Sequence, residues 1–382
     1  TLSYVMGGKV ISGLKAPTLA STNITWEKVT TTNFGLDIAM LNNRLNASFD
    51  YYIRNTNDMV ISKTYPAVLG SSGGKENLAN MRTNGWELSV SWNDKINNVG
   101  GSPLMYSIGV GLADSYSTIT KFDNPEGALN NYYEGKRIGE IWGYVTDGFI
   151  QDEAEAQRMA TIQGDISKTW KGGDIRYKDL DGVEGITSAK TIYNTGDQKV
   201  IGNTTPRYSF NINASASWKG FDVRVFFEGI AKRDLWIDSP VFWGFPSNSN
   251  VWQSAVNDYH VDNSWSENNT NAYYPLPSYS GRSKQTQTKY LQNGAYIRLK
   301  DLTISYTIPK AWISTVGIEQ LKVFASGQNL WVGTKLFKYL DPDIVSTRQS
   351  NSKDNKLVGN LTSDGKAYPF SRTFSFGINL TF

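Results

Sequence analysis

The sequence predicts an all-β chain, an antiparallel transmembrane β-barrel wall with long extracellular loops. Three observations carry the prediction. Apolar and polar residues alternate with period two in segment after segment; tight turns take turns with long connections; and aromatic residues are many where charges are few. Aromatics make up 13% of the 382 residues and charged residues 19%, a balance that suits strands and turns better than helices.

The elements follow in chain order. A weak strand opens at Leu2–Ile11. Phe34–Met40 and Leu45–Ile53 alternate cleanly around the tight turn Asn42-Asn43-Arg44. Trp86, Leu88, Val90 and Trp92 then alternate with Glu87, Ser89, Ser91 and Asn93, and a modest turn at Asn97–Pro103 leads to Tyr106–Leu112. Tyr208–Trp218 and Phe221–Phe227 flank Lys219-Gly220, and Leu302–Ile308 and Leu321–Ala325 flank Pro309–Glu319. The last strand, Phe374, Phe376, Ile378, Leu380 and Phe382 on one face, reads as the clearest of all. That makes about ten strands, most near the ~9–11 residues of a tilted membrane strand.

Between the short turns lie connections at 56–84, 117–206, 231–295 and 331–371, without predicted structure except a short helix at Asp152–Ile162, rich in Ala, Glu and Gln. Short turns on one side and long loops on the other are the pattern of a bacterial barrel, whereas a compact soluble sandwich rarely tolerates such connections. No apolar run approaches the ~18 residues of a membrane helix, and a mean hydropathy of −0.40 is compatible with strands that are apolar on one face only. A net charge of +3, without a basic block, gives no reason to expect a nucleic-acid partner, and the absence of cysteine removes disulfides and thiol chemistry. The chain opens on a strand-like stretch with no signal-peptide pattern, so an incomplete barrel is expected.

Catalysis finds little support. The single histidine, His260, lies in an Asn- and Trp-rich connection without a serine motif, and reads as an exposed loop residue. Gly173–Gly182 holds an Asp-x-Asp-Gly turn that resembles part of a calcium loop, but Tyr177 stands where a first ligand would be and Ser188 where a bidentate Glu would be. A metal-free turn is the simpler reading; should a structural Ca2+ bind, Asp174, Asp179, Asp181 and Glu184 are the candidate ligands, and no other cofactor is expected. The connections are also aromatic. Tyr132, Tyr133, Trp142, Tyr144, Trp236, Trp243, Trp252, Trp265, Tyr273 and Tyr274 could form a surface for substrate or partner, or could simply pack the loops together.

Several stretches, in order along nearly the whole chain, carry a resemblance. They are Trp26-Glu27-Lys28, Gly35–Asp37, Leu45–Asp58, Asn77–Leu88, Gly139–Phe149, Gly173–Gly182, Lys219–Asp222, Tyr296–Pro309, Phe324–Leu330, Asp341-Pro342 and Tyr368–Phe382. In these the sequence resembles the C-terminal barrel part of the SusC/RagA-type TonB-dependent outer-membrane transporters. The resemblance implies the last ten or so strands of a barrel of about twenty-two, in the outer membrane of a Gram-negative, Bacteroidetes-type cell, with plug and earlier strands outside this chain. It further implies active import of oligosaccharides or oligopeptides, a SusD-like surface lipoprotein as lid, and contact with the TonB complex through the missing N-terminal part. Phe374–Phe382 would then close the barrel and serve as its assembly signal. The competing functions are a passive channel of the same architecture, a siderophore-type receptor and an adhesin; an enzyme is not expected.

Overall fold

A computed structural model describes residues 2–13, 24–62, 74–246, 252, 254–313, 317–345 and 368–382. Its strands are β1 (Leu2–Met6), β2 (Lys9–Gly13), β3 (Lys28–Met40), β4 (Leu45–Ser62), β5 (Lys75–Val99), β6 (Ser102–Lys121), β7 (Glu140–Tyr144), β8 (Thr146–Phe149), β9 (Ile175–Tyr177), β10 (Gln198–Asn203), β11 (Arg207–Trp218), β12 (Phe221–Lys232), β13 (Asp234–Leu235), β14 (Gln292–Asn293), β15 (Tyr296–Thr307), β16 (Gln320–Thr334) and β17 (Thr373–Thr381). Four short helices interrupt them: α1 (Glu153–Ile162), α2 (Pro240–Trp243), α3 (Asp258–Asn263) and α4 (Lys310–Ile313).

Nine strands form one antiparallel sheet in the order β17-β16-β15-β12-β11-β6-β5-β4-β3, so each pairs with its nearest neighbour among the long strands. The register explains why the alternation was legible. Leu36 lies opposite Phe49, Phe49 opposite Leu88, Leu88 opposite Leu112, and Leu112 opposite Phe210. Farther along, Ile304 lies opposite Ala325, and Ala325 opposite Phe376. One face is therefore a continuous apolar band, and its members stay exposed: Phe34 is 66% accessible and Phe376 82%. Such a band has a favourable surrounding only in hydrocarbon, and between the two edge strands, β3 and β17, the paired ladders satisfy the backbone within the sheet.

Turn chemistry sets the short end. Lys219 and Gly220 adopt φ of 47° and 84°, and Gly100 and Gly101 adopt 58° and 87°, the left-handed pairs that tight hairpins require. Between β3 and β4 three consecutive residues, Leu41, Asn42 and Asn43, have positive φ, a conformation asparagine tolerates better than most.

Three expectations need correction. The weak opening strand does not join the sheet: β1 and β2 pair only with each other, because Gly7 and Gly8 (φ 60° and 75°) fold the run back on itself. The strands also run far beyond a membrane's needs, to 18 residues in β4, 25 in β5 and 20 in β6, so most of the expected 56–84 connection is strand. This overhang shows no alternation because it has left the hydrocarbon. Polar side chains hold it instead: Val60 N–H donates to Glu27 Oε1 at 2.8 Å, Asp58 N–H to Asn80 Oδ1 at 3.0 Å and Thr25 N–H to Asn77 Oδ1 at 2.8 Å. Finally, the long connections are not structureless. Those at 117–206 and 231–295 fold together, with the start of the 331–371 connection, into a cap above the sheet. The expected helix is there as α1, its N-cap Asp152 accepting from Glu155 N–H.

Candidate functional site

The polar face of the sheet is the first candidate. Opposite the apolar band stand Asp37 on β3, Ser48 and Asp50 on β4, Glu87 and Ser89 on β5, and Asn211 on β11, as period two demands. A cavity of about 610 Å³ lies along this face, lined by Asp50, Glu87, Asn211, Glu228 and Tyr296 and closed at one side by Asp343 from the last long connection.

A β-bulge organises the far wall. Against β12, where Phe226 lies opposite Asp301 and Phe227 opposite Leu299, Lys300 is the extra residue, and it reaches Glu228 at 2.7 Å and Asp343 at 3.4 Å. Beside it Arg298, only 2% accessible, pairs with Asp341 and lies 3.8 Å from Asp343, whose carboxylate also accepts from the Tyr296 hydroxyl at 3.1 Å. Both cations sit over the Phe370 ring, at 5.2 and 4.7 Å. The Tyr296–Pro309 and Asp341-Pro342 stretches were legible as motifs; their joint role, binding a loop to the polar face, was not.

The cap is the second candidate. Its core gathers Tyr144, Trp236, Trp243, Trp265 and Tyr274, with Ile150, Ile175, Phe242, Tyr290 and Phe337 among others. Phe242 and Tyr290 are fully buried, and the rings meet mostly edge to face: Trp243–Tyr290 at 4.7 Å, Phe242–Phe337 at 5.3 Å. Burial drives the Tyr144 hydroxyl up to about 12, with Asp197 and Asp165 adding to the shift.

Half of the aromatic surface expected from sequence is thus interior. Tyr144, Trp236, Trp243, Trp265 and Tyr274 have no free face for a ligand, and Tyr273 packs against them. Trp252 stands out, 92% accessible, while Tyr132, Tyr133 and Trp142 are half-buried. Tyr133 donates to Glu140 at 2.6 Å, and Lys136 lies 5.1 Å from its ring centre.

Polar ties lock the connections together. Asp174, fully buried, accepts from Arg282 Nε at 2.6 Å and from the Ser283 hydroxyl at 2.8 Å, and Leu276 N–H donates to Gly173 O at 2.9 Å. Lys284 donates to the carbonyls of Phe245, Pro246 and Ser278 at 2.7–3.1 Å; burial pulls its ammonium down to about 8, against the opposing pull of Asp238. Gly173 (φ +85°) is obligatory, since a Cβ there would enter the Trp265 ring.

His260 also departs from expectation. It is 2% accessible, on α3 rather than on an exposed loop. Its Nε2 lies 3.0 Å from Phe242 O and its Nδ1 accepts from Asn257 N–H at 3.3 Å, which fits the neutral ring with its proton on Nε2. Burial pulls its pKa down, against the pull of the Phe242 and Val241 carbonyls.

The expected metal set is divided. Asp174 is consumed by Arg282, and Tyr177 is buried in the cap core. Asp179 and Asp181 do converge, within 4.8 Å, but with Asp197 rather than Glu184. Each already accepts a backbone N–H: Asp179 from Gly182, Asp181 from Val183, and Asp197 from Leu180 and Thr187. Those three, hard oxygen donors, are the residues that could hold a cation. Sequence spacing could not give Asp197, which the fold returns from a separate turn.

Comparison with known proteins matches this architecture. A family model described as "TonB dependent receptor-like, beta-barrel" covers residues 3–330. TonB-dependent receptor P3 of Formosa agariphila is 28% identical over 393 residues, covering 99% of this chain and 36% of that protein. TonB-dependent receptor SusC of Bacteroides thetaiotaomicron is 23% identical over 370 residues, covering 96% of this chain and 33% of SusC. Among solved structures, that of the RagAB peptide importer in the "open-open" state superposes with a TM-score of 0.71 at 21% identity, over 100% of this chain and 38% of that one. The chain thus spans little more than a third of the proteins it matches. With an apolar band for lipid, a polar inner face and a family of receptors rather than enzymes, the chain belongs to the TonB-dependent receptor β-barrel family of the outer membrane.

Proposed function

We propose that this chain is the C-terminal barrel part of an energised importer. Its complete form would take up oligosaccharides or oligopeptides, with a SusD-type surface lipoprotein over the extracellular mouth and TonB as the source of energy. The observation that carries this reading is the pairing of a polar, cavity-bearing lumenal face with a rigid extracellular cap. A lid needs a preformed platform, and the buried ring core supplies one by holding three connections in fixed relation. The likeness to SusC and to a peptide importer supports the same reading and leaves both cargo classes open.

The test is purification of the native complex from outer membranes, with mass spectrometry of what accompanies it. A surface lipoprotein in stoichiometric amount and an oligomeric cargo are expected. A complex without a lipoprotein, or cargo entry that persists undiminished when TonB is deleted, would turn the reading towards a passive channel.

A further inference from the structure

We propose that the outward rim of the wall, where β5, β6 and residues 135–138 run side by side, is a docking site for the phosphate groups of outer-leaflet lipid, with Arg82, Arg137 and Arg207 as its cations. The proposal rests on the barrel's place in the outer membrane and holds whatever cargo the transporter carries.

Height and facing come first. Trp86 lies opposite Tyr51 on one side and Asp114 on the other, and this row ends the outward apolar band of β5. Aromatic rings mark such an edge in membrane barrels. Two residues higher Asn84 lies opposite Tyr116; two higher again Arg82 lies opposite Thr118, which bridges in turn to Arg137. Residues 135–138 thus take the place of a neighbouring strand beside β6. Period two keeps Arg82, Thr118 and Arg137 on the same face as Trp86. At ~3.3 Å per residue and a tilt of about 40°, their row stands roughly 10 Å above the hydrocarbon, within side-chain reach of the headgroup layer.

The cations are arranged for an anion. Arg137 and Arg207 lie against one ring, Tyr116, with guanidinium carbons 4.9 and 5.3 Å from its centre. Tyr208 is left-handed, φ 54°, and this break in the alternation brings Arg207 round to Asp114, whose two carboxylate oxygens it grips. The one acid of the Trp86 row is thereby neutralised. Arg82 is exposed and steadied by its Nε–H, which donates to Asn55 Oδ1 at 3.0 Å. Neither Arg82 nor Arg137 has an ion-pair partner among the described residues. Glu140, close to Arg137 in sequence, accepts instead from the Tyr133 hydroxyl at 2.6 Å and from the Arg137 backbone N–H at 3.0 Å. A guanidinium grips phosphate through two parallel N–H bonds, and basic side chains at a charged lipid surface add their attractions. β5, β6 and β11 have sheet neighbours on both sides, and the outward face of a barrel meets lipid whatever fills its interior.

The experiment uses the full-length transporter in detergent, with bound lipid counted by native mass spectrometry. The probes are phosphorylated lipid A and the same lipid with its phosphates removed. The phosphorylated form should bind about tenfold or more tighter. R82Q/R137Q should weaken its binding about ten- to thirtyfold, the loss of two surface charge attractions, and leave the dephosphorylated lipid unchanged. R82K/R137K keeps the charge without the planar fork; it should recover most of that loss and guards against a folding defect. Lys219→Asn, at the opposite rim, should change nothing, and excess inorganic phosphate should not displace the lipid. Equal binding of the two forms of lipid A, or a loss on Lys219→Asn as large as on R82Q/R137Q, overturns the proposal. So does displacement by inorganic phosphate, which would mark a small-anion site rather than a lipid dock.

Discussion

The sheet and the cap are built from the same large apolar and aromatic residues, placed in opposite ways. On the sheet they point outward and stay accessible, Phe376 at 82% and Phe34 at 66%; in the cap they turn inward, Phe242 and Tyr290 to nothing. The difference is one of solvent. Strands in hydrocarbon gain by showing apolar surface, and a loop assembly in water gains by hiding it. An aromatic-rich loop is therefore poor evidence of a ligand surface, and here half of the expected residues are what holds the loops up.

The contrast can be broken first at its most buried point. Phe242→Ala should cost the cap about 3–5 kcal/mol and expose residues 231–295 to protease. The sheet should keep its resistance, measured by digestion of the outer-membrane form followed by mass mapping; equal loss in both regions would mean that cap and wall are one cooperative unit. On the wall, Phe376→Ala should matter far less, whereas Phe376→Arg should cost about 2–4 kcal/mol if that position lies near the bilayer midplane. Urea unfolding in lipid vesicles reads the difference, and a tolerated arginine would contradict the outward assignment. Gly173→Ala sharpens the picture of the cap: a left-handed backbone and a Cβ set into the Trp265 ring should cost about 1–3 kcal/mol. Hydrogen exchange at Leu276, which donates to Gly173 O, would report it.

Acid supplies the gentlest probe. Burial depresses the pKa of His260 in the folded protein, so its contribution is complete above the unfolded value of about 6.5 and is lost as pH falls through the folded one. The ring is surrounded by uncharged Tyr259, Tyr274 and Phe337, with Lys338 beyond Tyr259 and Asp258 and Asp262 on its own helix. Protonation of Nδ1 would also abolish its bond from Asn257 N–H. Intrinsic amide exchange slows as pH falls from 7 to 5, so the readout is the protection factor corrected for it, which should fall in the cap more than in the sheet. His260→Gln should flatten that dependence, and an unchanged pH profile would remove His260 from the account.

What was legible in the sequence follows from the same physics. Period two survives wherever one face meets lipid and the other meets the lumen, so the membrane part of each strand could be read, as could the turns built on Lys219-Gly220 and Asn42-Asn43. The overhang at Lys75–Gly85 could not, because there both faces mix polar residues with Leu78, Ala79 and Met81, and pairing is reinforced by Asn and Glu side chains distant in sequence. The cap core was hidden for another reason. Its rings come from connections without a period, and only tertiary contact decides which turn inward. Asp197, Asn211 and the Lys300 bulge became visible only when separate strands and turns were brought side by side.

The overhang sets a height. From Lys75 to Gly85, β5 runs eleven residues before its outward apolar face begins at Trp86, about 36 Å of strand at ~3.3 Å each. At a tilt of about 40° this raises the rim roughly 27 Å above the hydrocarbon. That rim is a paling of paired strands standing beside the cap, tied to it where Ile119 N–H donates to Lys136 O and Ile138 N–H to Ser117 O, each at 2.9 Å. A partner meeting it there does so as one soluble protein meets another, and loads placed on the cap are carried down to the bilayer through backbone hydrogen bonds rather than through lipid.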